Sequence, residues 1–228
     1  MKKTDPSLPQ KEEIMVQKKY WKEYGEPILI AVLIALFIRT FVVQAFKIPS
    51  SSMEPTLLVG DYILVNKFIY GIRIPYWDQI TGTDKDKKYH WKKPQRGDVI
   101  VFIYPEDRSK DFIKRVIATE GEKVDIVGRK IYINDKLLDD PWGVYREKKD
   151  WQRELVPTGK YEHVERVPKG HLFVLGDNRD NSADGRVWGF VNVNAIKGKA
   201  FIIYFSWDSL SQSLFEKVRW GRLLNLIR

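Results

Sequence analysis

PILIAVLIALFIRTFVVQAFKIPSSSMEPTL, residues 27–57, is the stretch that decides how this chain is organised. Its first part, Pro27 to Phe46, supplies about the twenty apolar residues that a helix needs to cross a hydrocarbon core. Arg39 is the one charge within it and lies toward the second end, where its long stem reaches the interface. Lys11, Lys18, Lys19 and Lys22 precede the run, with Trp21 and Tyr24 at interfacial positions, whereas Lys47 is the only cation soon after it. The excess of positive charge on the first side predicts a cytoplasmic N-terminal segment (residues 1–26), a single-pass anchor in the inner (plasma) membrane (27–46) and an extracytoplasmic, periplasmic-side domain (47–228). Val43 and Ala45 imitate a signal-peptide cleavage pattern, but the run is longer than the apolar core of such a peptide, so a retained anchor is expected.

Working outward, 228 residues suffice for one sizeable domain plus the anchor. The formal charge of +9 comes from 39 basic and 30 acidic residues scattered along the chain. No basic block of the kind that grips nucleic acid occurs, so membrane lipid is the expected partner of this charge and nucleic acid is not. Cysteine is absent, which excludes disulfides, thiol nucleophiles and thiolate metal sites. No cofactor and no metal are expected.

Beyond the anchor the sequence reads as short strands between turn signals. YILVNKFIY follows Gly60–Asp61, DVIVFIY follows Arg96–Gly97, and DFIKRVIAT precedes Glu120–Gly121; all are rich in β-branched and aromatic residues. KVDIVGRKIYIND alternates around Gly128 and predicts a hairpin, with a further turn at Asn134–Asp135. The expected fold is mainly β, an antiparallel domain behind a transmembrane helix, with a small inserted lobe at about 122–168. Asp78 to Lys93 reads as an exposed loop. Residues 215–228 alternate cations with Val218, Trp220, Leu223, Leu224 and Ile227, which fits an interfacial helix or a docked terminal helix equally.

Ser50, Ser51 and Ser52 stand directly after the anchor, and a serine hydroxyl attacks only when a base takes its proton. A lysine made neutral by apolar surroundings is such a base. In DFIKRVI the two-residue period puts Phe112, Lys114 and Val116 on one face and Ile113, Arg115 and Ile117 on the other. Lys114, flanked by apolar neighbours on an inward face, loses hydration and with it part of its basicity. A third segment, GDNRDNSADGRVWGF from Gly176 to Phe190, gathers carboxylates, guanidiniums and a hydroxyl. Asp177 or Asp184 is expected to pair with Arg115 or Arg186, and Ser182 to orient the lysine amine. Asp180, Ser182, Asp184 and Gly185 imitate part of a calcium loop, but its twelfth position is Val191, not Glu. His90, His163 and His171 sit in no catalytic motif, and there is no GxSxG elbow. An SxxK serine acyl-enzyme is excluded because Pro55 stands three residues after Ser52.

IPSSSMEPTL, RGDVIVF, FIKR and GDNRDNSADGR, in that order behind an anchor, resemble the boxes of bacterial type I signal peptidases, over nearly all of the chain from the anchor to Phe205. The resemblance implies a membrane-anchored serine endopeptidase that removes signal peptides from secretory preproteins. It makes Ser52 the nucleophile and Lys114 the general base, with Ser50 and the Ser52 N–H as the oxyanion hole. Ser182 would orient Lys114, and Asp184 with Arg186 would brace the loop. Phe46, Ile48, Pro49, Met53, Leu57, Ile63, Val101 and Ile113 would line the substrate pockets. Some members carry two membrane spans, and relatives often have glycine where Ser51 stands. The opposing reading is a noncatalytic, membrane-anchored β domain that binds extended peptides.

Overall fold

The computed structural model describes residues 20–72, 89–146, 161–211 and 213–228. They fall into two units, divided between Val42 and Val43. The first holds helix α1, Trp21–Val42, which is long and apolar enough to cross a membrane and has no buried window. Its apolar side chains face outward on every side, as a helix solvated by lipid requires. Val43 to Phe46, the tail of the apolar run, belongs instead to the first strand of the second unit.

Among the described residues, the second unit holds fourteen strands. They are β1 (Val43–Lys47), β2 (Asp61–Asn66), β3 (Gly71–Ile72), β4 (Tyr89–His90), β5 (Val99–Ile103), β6 (Asp111–Ala118), β7 (Val124–Val127), β8 (Lys130–Ile133), β9 (Lys136–Leu137), β10 (His163–Val164), β11 (His171–Leu175), β12 (Phe190–Asn192), β13 (Ile196–Ser206) and β14 (Asn225–Leu226). An eight-stranded sheet runs β1-β2-β13-β5-β6-β11-β12, with β14 also on β13, and every pairing in it is antiparallel. The mainly β, antiparallel expectation is therefore met. A second sheet, β10-β7-β8-β9, occupies the stretch read as an inserted lobe. Its hairpins form where the sequence demands positive φ: Gly128 opens one turn at +60°, and Asn134 and Asp135 form the other at +50° and +64°.

Alternation places the core. In β2, Asp61, Ile63 and Val65 are buried while Tyr62, Leu64 and Asn66 are half-buried. Ile63 and Val65 join Ile48, Met53, Leu57, Val99 and Val101 in one apolar cluster, with Phe46 and Ile113 packed against it. Each such side chain contributes roughly 1.5–3 kcal/mol on leaving water. Met53 and Leu57, one helical turn apart and joined by Leu57 N–H to Met53 C=O at 2.9 Å, thereby anchor the turn that carries the serines.

Two elements differ from expectation. Tyr89–His90 pairs with Gly71–Ile72, so residues 89–90 of the anticipated 78–93 loop are a strand, while 91–93 are exposed and irregular and 78–88 lie outside the described residues. The last residues form no amphipathic helix. They make a short helix α3 (Leu214–Lys217), a single turn (Trp220–Arg222) and β14, and Leu224 at φ +61° reverses the chain onto β13. Arg222 pairs with buried Asp61, and Ile227 packs into the core, which ties this end to the sheet.

Candidate active site

Lys114 lies on β6 where the strand turns from half-exposed to wholly buried. Its Nζ is 2.8 Å from Ser52 Oγ and 3.0 Å from the Ile113 carbonyl oxygen. Both partners are buried, Lys114 at 4% and Ser52 at 8% exposure. The Phe112 ring centroid lies 5.4 Å from the amine, and Val116 is fully buried, so the predicted apolar flanks are present. Burial is the largest influence on the amine and pushes its pKa from 10.5 down to about 8. Asp184 and then Asp177 pull it back up, and Arg186 pushes it down. A neutral amine has two N–H groups and one lone pair. With one N–H given to Ile113, the lone pair is placed to accept the Ser52 O–H.

The cations of FIKR do point opposite ways. Arg115 donates to both Asp177 oxygens, at 2.8 and 2.7 Å, and to Gly97 C=O at 2.7 Å, while its guanidinium lies 4.7 Å from the Trp142 ring. Asp177 also accepts from Thr56 Oγ1 at 2.6 Å. This bidentate pair is fully buried. It ties β6 to the 177–181 loop and to the helical turn behind the serines. Asp184 caps the short helix α2 (Gly185–Trp188), accepts from Gly176 N–H at 3.0 Å, and is gripped by Arg186 Nε at 2.9 Å and Nη2 at 3.0 Å. Of the alternatives left open by the sequence, Asp177–Arg115 and Asp184–Arg186 form. Each carboxylate beside the lysine is thus matched to a guanidinium.

Ser50 is exposed, and its Oγ stands 3.5 Å from Ser52 Oγ. Ser182 makes no hydrogen bond to Lys114; its Oγ is buried without a partner among the described residues. It closes against Gly176, where a Cβ would sit 2.2 Å from Ser182 Oγ and 2.5 Å from the Ser52 carbonyl oxygen. Only glycine lets the loop approach the nucleophile's backbone that closely.

An open cleft of about 360 Å³ is lined by Pro49, the three serines, Asp111 to Lys114, Asn181 and Ala183. Of the residues assigned to substrate pockets, Pro49 and Ile113 border this cleft. Ile48, Met53, Leu57, Ile63 and Val101 are buried in the cluster behind it, and Phe46 packs on that cluster. Sequence reasoning missed Thr56, Asn178, Arg179, Asn181 and Asp140. Arg179 is buried, donates to Gly176 C=O at 3.0 Å, and forms a two-pronged pair with Asp140. The dense polar composition of GDNRDNSADGR was the available signal for the asparagines and Arg179, but nothing local announced Asp140 or Thr56.

A buried serine–lysine contact beside an open cleft, on an antiparallel β domain, is the constellation of a serine-type peptidase. The family model for signal peptidase, peptidase S26, matches residues 21–207. The chain is 38% identical over 222 residues to a signal peptidase I of Pseudomonas aeruginosa, covering 84% of this chain and 75% of that protein. It is 40% identical over 217 residues to one of Pseudomonas fluorescens (81% and 72% covered) and 35% over 229 residues to one of Aquifex aeolicus (78% and 82%). The chain belongs to the signal peptidase family, peptidase S26, and is a serine peptidase.

Proposed function

We propose that this chain is a membrane-anchored endopeptidase that removes signal peptides from secretory preproteins, with Ser52 as nucleophile and Lys114 as general base. The observation that carries the reading is the 2.8 Å contact between the buried amine and the buried hydroxyl. The uncharged amine takes the Ser52 proton as Oγ attacks the scissile carbonyl carbon. Negative charge then develops on the carbonyl oxygen, where the Ser50 hydroxyl and the Ser52 N–H stabilise it. Collapse breaks the C–N bond, and the Lys114 ammonium returns its proton to the leaving amine. Water, deprotonated by the same amine, attacks the acyl-serine ester; the ester C–O bond breaks as the ammonium returns that proton to Ser52 Oγ, which frees both the signal peptide and Ser52.

The rest of the loop keeps this pair in place. Asp177–Arg115 and Asp184–Arg186 fix the walls, and Ser182 supplies a buried hydroxyl beside the Ser52 carbonyl. The cleft bordered by Pro49 and Ile113 opens beside Ser52 and would receive the substrate chain on either side of the scissile bond. Helix α1 anchors the protein, with the lysine-rich side cytoplasmic and the β domain exported. Support for that orientation is the charge asymmetry about the apolar run.

The test uses purified full-length protein in phospholipid vesicles with a model preprotein. Wild type releases the mature protein, while Ser52→Ala and Lys114→Ala do not. Cleavage that persists in both variants contradicts the assignment. Protease added outside intact spheroplasts should digest the β domain, and full protection there overturns the topology.

A further inference from the structure

The backbone of the nucleophile is gripped from one side by an asparagine. Asn178 Nδ2 donates to the Ser51 carbonyl oxygen at 3.1 Å, and Asn178 N–H donates to the Ser52 carbonyl oxygen at 3.1 Å. Glu54 N–H donates to the same Ser51 oxygen at 3.0 Å. Asn181 Nδ2 donates to Ser51 Oγ at 2.8 Å. The Ser51–Ser52 peptide is trans, so its C=O and N–H point in opposite directions. Holding the carbonyl on the loop side turns the Ser52 N–H the other way, and among the described residues that N–H donates to no protein acceptor.

We propose that Asn178 is a positioning residue for the oxyanion hole. It fixes the plane of the 51–52 peptide, so that the Ser52 N–H meets the substrate's developing oxyanion. Asn181, through the Ser51 hydroxyl, restrains the same peptide from its side-chain end. The assignment rests on the proposed proteolytic function.

Two observations separate this role from packing. Asn178 is 4% exposed, yet its Oδ1 is buried with no hydrogen-bond partner. Leaving a buried acceptor unpaired costs about 1–3 kcal/mol, so only the donor half of the amide serves the fold here. Its neighbours are also immobilised on both sides, Asp177 by Arg115 and Thr56, and Arg179 by Asp140 and the Gly176 carbonyl. The Val144 backbone bridges the pair, with its N–H on Asp177 C=O at 2.8 Å and its C=O accepting from Arg179 N–H at 3.0 Å. A donor held this rigidly aligns a peptide dipole before substrate arrives.

The experiment compares full-length wild type, Asn178→Ala and Asn181→Ala in vesicles, using a signal-peptide substrate, a product peptide and a peptide aldehyde whose adduct oxygen occupies the oxyanion position. For Asn178→Ala we expect kcat to fall roughly tenfold to a hundredfold, part of the loss seen when an oxyanion donor is removed outright. KM, product-peptide affinity and the midpoint of the pH profile stay as in wild type, while aldehyde affinity falls by the same factor as kcat/KM. Asn181 is exposed, and its replacement is expected to leave the fold intact and lower kcat about fivefold, the worth of one neutral hydrogen bond. It keeps the assignment testable should Asn178→Ala not fold. Unchanged kcat in either folded variant, or a loss confined to KM or to thermal stability, overturns the assignment. A wild-type chain that cleaves no signal peptide overturns the proteolytic reading itself, and this inference with it.

Discussion

Raising the pH is the perturbation that bears most directly on Lys114. Burial and three neighbouring charges act on its amine, and burial outweighs the charges. The reason is geometric: Asp177 and Asp184, the two carboxylates that favour the ammonium, are each matched to a guanidinium, so little net field remains to offset desolvation. With the pKa at about 8, the neutral fraction is about 9% at pH 7 and about 90% at pH 9. An unshifted lysine would be neutral to only about 0.03% and 3% at those pH values. The expected kcat/KM for a signal-peptide substrate therefore rises about tenfold per pH unit below 8 and levels near 9. The assay is a pH series from 6 to 10 in vesicles, with protein stability checked at each point. A rate that stays flat, or that keeps climbing in proportion to hydroxide up to pH 10, refutes a buried neutral amine as the base.

The same burial makes Lys114 costly to the fold. A pKa lowered from 10.5 to about 8 corresponds to about 3 kcal/mol against the folded state below pH 8, a cost relieved as pH rises from about 8 to 10.5 because the unfolded chain then binds the extra proton. Lys114→Met is accordingly expected to be inactive yet more stable than wild type at pH 7, with the gap narrowing by pH 10 in denaturant titrations. Arg115→Met strands Asp177 at a site with no solvent exposure and should destabilise by about 3–5 kcal/mol in the same titrations. Asp184→Asn removes the largest influence raising the amine's pKa and should move the pH–rate midpoint down, whereas Arg186→Gln should move it up.

Much of the site was legible because its chemistry is local. The two-residue period of FIKR alone sends Lys114 and Arg115 to opposite faces, and the structure finds them on Ser52 and Asp177. Strand positions followed from β-branched runs, and both small hairpins from Gly128 and Asn134–Asp135. What stayed hidden depends on contacts between distant segments. Thr56 meets Asp177 across 121 residues, and Arg179 meets Asp140 across 39, with no periodic signal to relate them. Ser182 was expected to hold the amine, but the loop turns its hydroxyl toward Gly176. The C-terminal stretch carried an amphipathic pattern, yet Leu224 adopts positive φ and the chain pairs with β13, since edge pairing and the Arg222–Asp61 bridge outweigh a short helix containing Gly221.

The most direct measurement is to trap the acyl-enzyme. An acylating peptide is incubated with wild type, Ser52→Ala and Lys114→Ala at pH 9, and the modified residue is located by tandem mass spectrometry. We expect the acyl group on Ser52 in wild type and on no residue in either variant. Acylation elsewhere, or equal labelling of Ser52 without Lys114, would contradict a serine activated by this amine.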